Sequence, residues 1–249
     1  MIIRYLFVLF FFQVLSLTLY AQSNSSVSPV LNKIDDDINR SDYESALARV
    51  DSVLQITPDN LEMLKKRIDI YLLEEDFKGA GDYIEEAIKA HPDVIDFYFY
   101  RAVMYIHKGR YEKAIDDLNN VLKSNKFKDL YKVYLNRGVA RENLLRYELA
   151  MEDFNHAIEL NNRDGNVYHS RAMLYYEQKD YEEAVKDFQK AIELSGDNPI
   201  TFYNLGMTYY RLNDLSNACL YFRRACSLKN RNACRMVMMN CTKDLNLPK

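Results

Sequence analysis

The chain contains YRAVMYIHKGRYEKAIDDLNNVL at residues 100–122 and repeats that pattern as NRGVARENLLRYELAMEDFNHAI at 136–158 and SRAMLYYEQKDYEEAVKDFQKAI at 170–192. A small residue and an alanine recur every 34 residues, with a two-residue insertion before the fourth repeat. The small residues are Ala102, Gly138, Ala172 and Gly206, and the alanines are Ala46, Ala80, Ala114, Ala150, Ala184 and Ala218. This periodicity indicates about six equivalent repeats, which we number from the first to the sixth.

Each repeat contains two helical patterns of about 14 residues, separated by a short polar turn such as 107–110. Large residues recur in the second helix at Val50, Ile84, Leu118, Phe154, Phe188 and Phe222. Small residues permit close approach of two helices, and the large residues fill the adjacent space. The sequence therefore predicts an all-α solenoid of helix-turn-helix repeats, in which each helix pair packs on itself and on the next.

The pattern resembles the tetratricopeptide repeat family over residues 30–229, with its small, aromatic, alanine and proline positions. Pro58 and Pro92 lie where that family places a proline between repeats. The resemblance implies a right-handed α-solenoid of about six repeats plus a C-terminal capping helix. The family's early tryptophan is replaced by Leu64, Tyr98, Tyr134, Tyr168 and Phe202.

The predicted organisation begins with a secretory signal peptide at residues 1–21, where one arginine precedes an apolar run and small residues follow it. An uncleaved membrane anchor is the alternative. A linker spans 22–29, the solenoid 30–241 and a tail 242–249. The repeats are expected near 30–58, 61–92, 95–124, 131–161, 165–195 and 199–229, with the capping helix at 231–241. We interpret the segment 34–37, Ile-Asp-Asp-Asp, as a solvated cap.

Arginines of three first helices each precede an aspartate by 16 residues. The predicted structural ion pairs within repeats are Arg101–Asp117, Arg137–Asp153 and Arg171–Asp187. In the sixth repeat both members are lost together, to Leu205 and Tyr221. This joint loss favours ion pairs over a basic binding stripe. Arg67 is the exception, since Tyr83 stands where the acid is expected.

All four cysteines lie between residues 219 and 241. Two consecutive helices joined by a turn near Asn230 would place residues equidistant from that turn at the same level. Pairing within a helix, or crossed pairing, spans about 10 Å along the axis, beyond the reach of a disulfide. Of the three connectivities this leaves Cys226–Cys234 with Cys219–Cys241.

A tetrahedral zinc site is the alternative for these cysteines, but two levels about 10 Å apart do not suit one ion. A redox site is disfavoured because no Cys-x-x-Cys pair occurs. The stretch also resembles cysteine-rich Sel1-like repeats, through Ala225-Cys226-Ser227-Leu228 and Ala233-Cys234, which supports the Cys226–Cys234 bridge alone.

We found no sequence signature of catalysis. The chain lacks a phosphate-binding glycine loop, a nucleophile motif and histidines at ligand spacing, so we predict no enzyme, no metal and no cofactor. A formal net charge of −3 disfavours a nucleic-acid partner. We expect no membrane span in the mature chain, and the sequence leaves self-association open.

In the tetratricopeptide repeat family, the first helices line a concave face. Carried onto this chain, the resemblance implies a partner-binding groove. Its residues are Phe99, Tyr100, Val103, Leu135, Asn136, Val139, His169, Ser170, Met173, Tyr176, Tyr203, Asn204, Met207 and Tyr210. For Val103, Val139 and Met173, packing between helices is the alternative. The family's carboxylate clamp is not assembled here, since Lys65 is followed by Asp69.

These features predict an exported, non-enzymatic adaptor in the periplasm, at the cell surface or secreted. It would bind a protein or peptide segment in its groove within an envelope assembly, through aromatic and methionine contacts. A receptor for glycans or small ligands on the same scaffold is the alternative, because the tyrosines would also permit it.

Overall fold

The computed structural model describes residues 29–241, and the regular structure in this range is helical. The helices are α1 (29–39), α2 (Tyr43–Ile56), α3 (Leu61–Leu73), α4 (Phe77–Ala90), α5 (Ile95–His107), α6 (Tyr111–Ser124), α7 (Leu130–Asn143), α8 (Tyr147–Leu160), α9 (Gly165–Gln178), α10 (Tyr181–Ser195), α11 (Pro199–Arg211), α12 (Leu215–Ser227) and α13 (Arg231–Asn240). Consecutive helices form one helix-turn-helix per repeat, and α13 follows the sixth.

The chain divides into two compact bodies, an N-terminal body that ends at Tyr100 and a C-terminal body that begins at Arg101. The predicted signal peptide, most of the linker and the tail lie outside the described residues. Within 29–241, each helix is too short or too polar to cross a membrane.

The turn inside each repeat contains one residue with a positive φ, at the same place in the repeat. These residues are Ser41, Glu75, Gly109, Leu145, Lys179 and Asn213. The left-handed conformation reverses the chain within a few residues, so the second helix starts almost at once. An aspartate then caps several second helices: the Asp214 side chain, for example, accepts a hydrogen bond from the Asn217 amide.

Close packing within each repeat depends on the small residues that the periodicity singled out. A methyl group added at Gly138 would lie 2.6 Å from the ring of Phe154, and one at Gly206 would lie 2.7 Å from the ring of Phe222. Both rings are completely buried. Because glycine has no side chain, the backbone of the first helix lies directly against an aromatic ring of the second helix.

The predicted solvated cap at 34–37 is wrong. Its residues lie in α1, where Ile34 is fully buried and packs with Val50 and Met63 in the N-terminal body. Asp37 is also buried, and its carboxylate accepts hydrogen bonds from Arg40 at 2.5 Å and Arg49 at 2.6 Å. The acidic segment belongs to a helix whose inward face carries Ile34 and the paired Asp37, and Val30, Leu31 and Ile38 pack partly against the same cluster.

Each of the three arginines lies against a buried aspartate of the same repeat. The contacts are Arg101–Asp117 at 2.8 Å, Arg137–Asp153 at 2.7 Å and Arg171–Asp187 at 2.7 Å. Asp153 is also bound by Arg141, again at 2.7 Å. These pairs tie the first helix of a repeat to the second.

Arg67 faces Tyr83, as the sequence indicated, but the expectation that Tyr83 takes the place of an acidic partner is wrong. Its guanidinium does lie over the Tyr83 ring, 4.9 Å from the centroid, but it also binds Asp51. Asp51 precedes Arg67 by 16 residues and belongs to the second helix of the preceding repeat. The same spacing of 16 residues therefore joins Arg67 to an acid that precedes it, whereas the other three arginines bind an acid that follows.

Two disulfides join α12 to the last helix and the residue that follows it. They connect Cys219 with Cys241 and Cys226 with Cys234, the same pairs that the hairpin register predicts. The corresponding Cα atoms are 5.6 Å and 4.7 Å apart. The alternative of a zinc site is wrong, because all four sulfurs are consumed in these bonds.

Candidate functional site

A small apolar pocket lies between α9 and α11 in the C-terminal body. It has a volume of about 170 Å³ and is lined by Met173, Tyr176, Tyr203, Asn204 and Met207. All five residues belong to the groove that the resemblance implied. We call this site the apolar pocket.

The polar groups of the apolar pocket are only partly engaged. The side-chain amide of Asn204 donates to the sulfur of Met173 at 3.2 Å, and its oxygen has no partner among the described residues. The hydroxyl of Tyr176 accepts a hydrogen bond from Nε of Arg211 at 3.1 Å. The pocket therefore offers aromatic and thioether surface with one hydrogen-bonding amide.

A larger pocket adjoins it between α7 and α9, and Met173 lines both. Its volume is about 430 Å³, and its lining residues are Val139, Glu142, Asn143, Leu145, Tyr147, His169, Ser170, Met173 and Glu177. Val139, His169, Ser170 and Met173 were expected in the groove; the other five were not. We call this site the acidic pocket.

Two ionisable groups in the acidic pocket have shifted pKa values. Burial, together with the negative charge of Glu177, raises the pKa of Glu142 to about 7. Burial lowers the pKa of His169, whose Nδ1 lies 2.9 Å from the Thr201 hydroxyl and whose ring packs against Phe188. At neutral pH the pocket therefore holds a neutral imidazole beside two carboxyl groups.

Glu142 could have been found from the sequence. The groove list contains Tyr176 and Tyr210, which are 34 residues apart, and the equivalent position one repeat earlier is 142. A glutamate near a helix end is, by itself, typical of a solvated surface. The repeat register was the better guide.

Other residues expected in the groove have contacts within the protein. Leu135 and Val139 pack against the buried cluster around Phe154. The side-chain amide of Asn136 donates to the carbonyl of Lys132 in its own helix at 2.8 Å. Tyr210 packs against the cluster that contains the Cys219–Cys241 disulfide.

Phe99 and Tyr100 belong to the N-terminal body, and Phe99 is buried there. Their rings meet at 6.0 Å, and the Tyr100 hydroxyl donates to Asp69 at 2.8 Å. Burial, reinforced by the charge of Asp69, raises the pKa of Tyr100. The hydroxyl of Tyr100 is therefore already hydrogen-bonded within the N-terminal body.

Within residues 29–241, no three or more His, Cys, Asp and Glu side chains are arranged to hold a metal ion. The two pockets present surfaces for contact, with hydrogen-bonding and ionic groups at their margins. Such an arrangement suits recognition of another molecule.

Family models of the tetratricopeptide repeat match the chain along most of its described length. The matched segments are 31–95, 83–116, 131–164, 172–213 and 201–232. The chain is a tetratricopeptide repeat protein. Its repeats form an all-α solenoid, as the periodicity predicted. The likeness of its last repeat to Sel1-like proteins stays a prediction.

Solved structures of other repeat proteins share this fold at low sequence identity. PilF of Pseudomonas aeruginosa is 16% identical and superimposes with a TM-score of 0.69, over 87% of this chain and 98% of its own. PilW, described as a type IV pilus biogenesis factor, is 14% identical with a TM-score of 0.73, over 84% and 96%. YrrB, described as having an unusual peptide-binding site, is 16% identical with a TM-score of 0.52, over 76% and 97%. No curated protein matches the sequence.

Proposed function

We propose that this tetratricopeptide repeat protein is an exported adaptor that binds an extended polypeptide segment along its first helices, within an assembly of the cell envelope. The apolar pocket is the observation that carries the proposal. Five side chains from two successive repeats line one cavity of about 170 Å³, which suits a large apolar side chain.

The chemistry of the apolar pocket favours a peptide. Tyrosine and methionine provide contact area that adapts to different apolar side chains. The free oxygen of Asn204 can accept a hydrogen bond from a peptide N–H group, which an extended segment exposes along its length. The solved structure of YrrB, described as having a peptide-binding site, supports such use of the fold.

Export and an envelope role rest on separate observations. Two disulfides with no free cysteine among the described residues are typical of an oxidising compartment. The predicted signal peptide agrees with that compartment. Similarity in fold to PilF and PilW, the latter a pilus biogenesis factor, supports a role in assembling an envelope structure.

Affinity capture from the envelope of the native host tests the proposal. The tagged protein is compared with the double variant Tyr176→Ala/Asn204→Ala, which opens the apolar pocket and removes its amide. The matched control is Leu220→Ala, which removes an exposed apolar side chain from α12, a second helix. Circular dichroism verifies that all three proteins are folded.

We expect the parent and Leu220→Ala to retain the same envelope protein and the double variant to lose it. Equal capture by all three proteins would place the binding site elsewhere on the molecule and contradict binding in the groove. If none retains a protein while soluble glycans bind the parent, the receptor alternative replaces the adaptor.

A further inference from the structure

The acidic pocket combines apolar walls with two carboxyl groups at one end. Val139 and Met173 contribute aliphatic and thioether surface, while Glu142 and Glu177 come from the last turns of α7 and α9. A volume of about 430 Å³ accommodates a long side chain. The pocket is therefore apolar along its length and acidic at one end. This layout complements a lysine or arginine side chain, which has an apolar stem and a positively charged end.

Neither carboxyl group has a cation of this protein as its partner among the described residues. Arg141, the neighbour of Glu142 in sequence, is turned to Asp153 at 2.7 Å and to the carbonyl of Leu149 at 3.2 Å. Arg211, at the end of α11, donates to the hydroxyl of Tyr176. Glu142 is half-buried, whereas Glu177 is exposed. A half-buried carboxylate without a cationic partner is uncommon, so the Glu142 side chain in particular is left open to a cation from outside the protein.

We infer that the acidic pocket receives a lysine or arginine side chain of the bound polypeptide, so that the groove selects segments with a basic residue next to a large apolar one. This inference rests on the proposed function and names the class of segment bound. Met173 lines both pockets, so the basic and apolar side chains of the segment lie close together. An arginine or lysine meeting two carboxylates gains charge-assisted hydrogen bonds.

A combinatorial peptide library without cysteine tests the inference, with purified protein bearing its disulfides as bait. The baits are the parent, Glu142→Gln/Glu177→Gln, and a charge-matched control, Glu148→Gln/Glu182→Gln. The control residues are exposed, in the first turns of α8 and α10. The glutamine variant keeps the size of both side chains and removes only their charge.

We expect the parent and the control to enrich peptides with a lysine or arginine beside an aromatic or aliphatic residue. The pocket variant should retain the apolar preference and lose the basic one. For the most enriched peptide, acetylating its lysine, or replacing its arginine with citrulline, should weaken binding to the parent by about tenfold or more. The same change should leave binding to the pocket variant nearly unaltered.

The pH dependence of binding supplies a second readout. The titratable groups lining the pocket are Glu142, Glu177, His169 and Tyr147, and burial lowers the pKa of His169, which disfavours its protonated form. Glu142 is ionised above a pH of about 7 and protonated below it. The basic peptide should therefore bind the parent several-fold more weakly about one unit below that pKa than about one unit above it, and Glu142→Gln should flatten this difference.

The outcomes separate the two proposals. Enrichment of apolar peptides without a basic residue would overturn the inference and leave the groove intact. Equal basic preference in the parent and the pocket variant would also overturn it. A parent that selects no peptide at all would overturn both the inference and the proposed function.

Discussion

The fifth and sixth repeats fill equivalent spaces in opposite ways. In the fifth, the guanidinium of Arg171 lies 5.8 Å from the ring centroid of Tyr168 and 5.9 Å from that of Tyr175, and binds Asp187. Aromatic faces thus sit beside a cation that is also paired with a carboxylate. The two helices of this repeat are joined by charge.

In the sixth repeat the equivalent residues are apolar or aromatic. Leu205 replaces the arginine and is fully buried, and Tyr221 replaces the aspartate. The Tyr221 ring stacks on Tyr209 at 5.5 Å with an interplanar angle of 2°, and on Phe202 at 6.3 Å with an angle of 19°. Here an aromatic ring takes the space that a guanidinium takes in the fifth repeat.

The same helix pair thus accepts either an ion pair or aromatic packing at these positions, but the two differ in what their loss costs in stability. A buried ion pair is costly to break and contributes little when exchanged for a well-packed apolar pair. The end of a solenoid has a neighbour on one side only, and here it combines aromatic stacking with two disulfides. Ion pairs join the two helices in each of the third to fifth repeats, whereas aromatic stacking and disulfides stabilise the sixth repeat and the helix that follows it.

The largest effect should come from breaking one ion pair without replacing it. Asp153→Ala leaves Arg137 and Arg141 without their shared carboxylate, in surroundings where both are largely buried. We expect a loss of about 3–5 kcal/mol in the free energy of unfolding. Urea denaturation followed by circular dichroism measures it, with the exposed neighbour Glu152→Ala as control. A loss equal to that of the control would show that the pair is dispensable.

Removing the disulfides should have the next largest effect, confined to the last two helices. In the loop-entropy description, Cys219→Ala/Cys241→Ala should cost about 3.5 kcal/mol and Cys226→Ala/Cys234→Ala about 2.5 kcal/mol, because the first ring is longer. Hydrogen exchange of α13 amides reports the loss locally. Protection of α13 that is the same in both variants and the parent would mean that packing alone holds this helix.

Exchanging the fifth repeat's pair for that of the sixth tests the comparison directly. Arg171→Leu/Asp187→Tyr places the new tyrosine near Tyr168 and Tyr175, which stand where Phe202 and Tyr209 stand one repeat later. We expect the double variant to lie within about 1 kcal/mol of the parent, and Arg171→Leu alone to lose about 3 kcal/mol or more. A double-mutant cycle measures the coupling. Additive losses would show that the two repeats are not equivalent at this point.

The sequence predicts most of the fold because many residues recur together at the 34-residue period and so fix the alignment of the repeats. Gly138 and Phe154 illustrate this, since both were identified from the period and meet in the structure. Long-range partners were harder: the acid bound by Arg67 belongs to the preceding repeat, and a single repeat carries no signal for it.

The two pockets show the same division. The apolar pocket uses residues that the family resemblance pointed to, whereas Glu142 and Glu177 were missed. The repeat register points to position 142, but a glutamate on a helix usually faces solvent, and the partial burial of Glu142 depends on the packing of α9 beside α7. The burial of Ile34 within an acidic segment escaped prediction for the same reason.

The smallest effect concerns the turns of the fourth and sixth repeats. Leu145 and Asn213 occupy equivalent positions with φ values of 60° and 59°. Asparagine tolerates this left-handed conformation, whereas leucine is strained in it. Leu145→Asn should therefore raise the free energy of unfolding by about 0.5–1 kcal/mol, and Asn213→Leu should lower it by a similar amount. Urea midpoints of the two variants, measured without peptide, check the prediction. Because the Leu145 side chain is 71% exposed, little packing is lost in the exchange. Shifts of the same sign in both variants would mean that local contacts, not backbone strain, decide the stability of these turns.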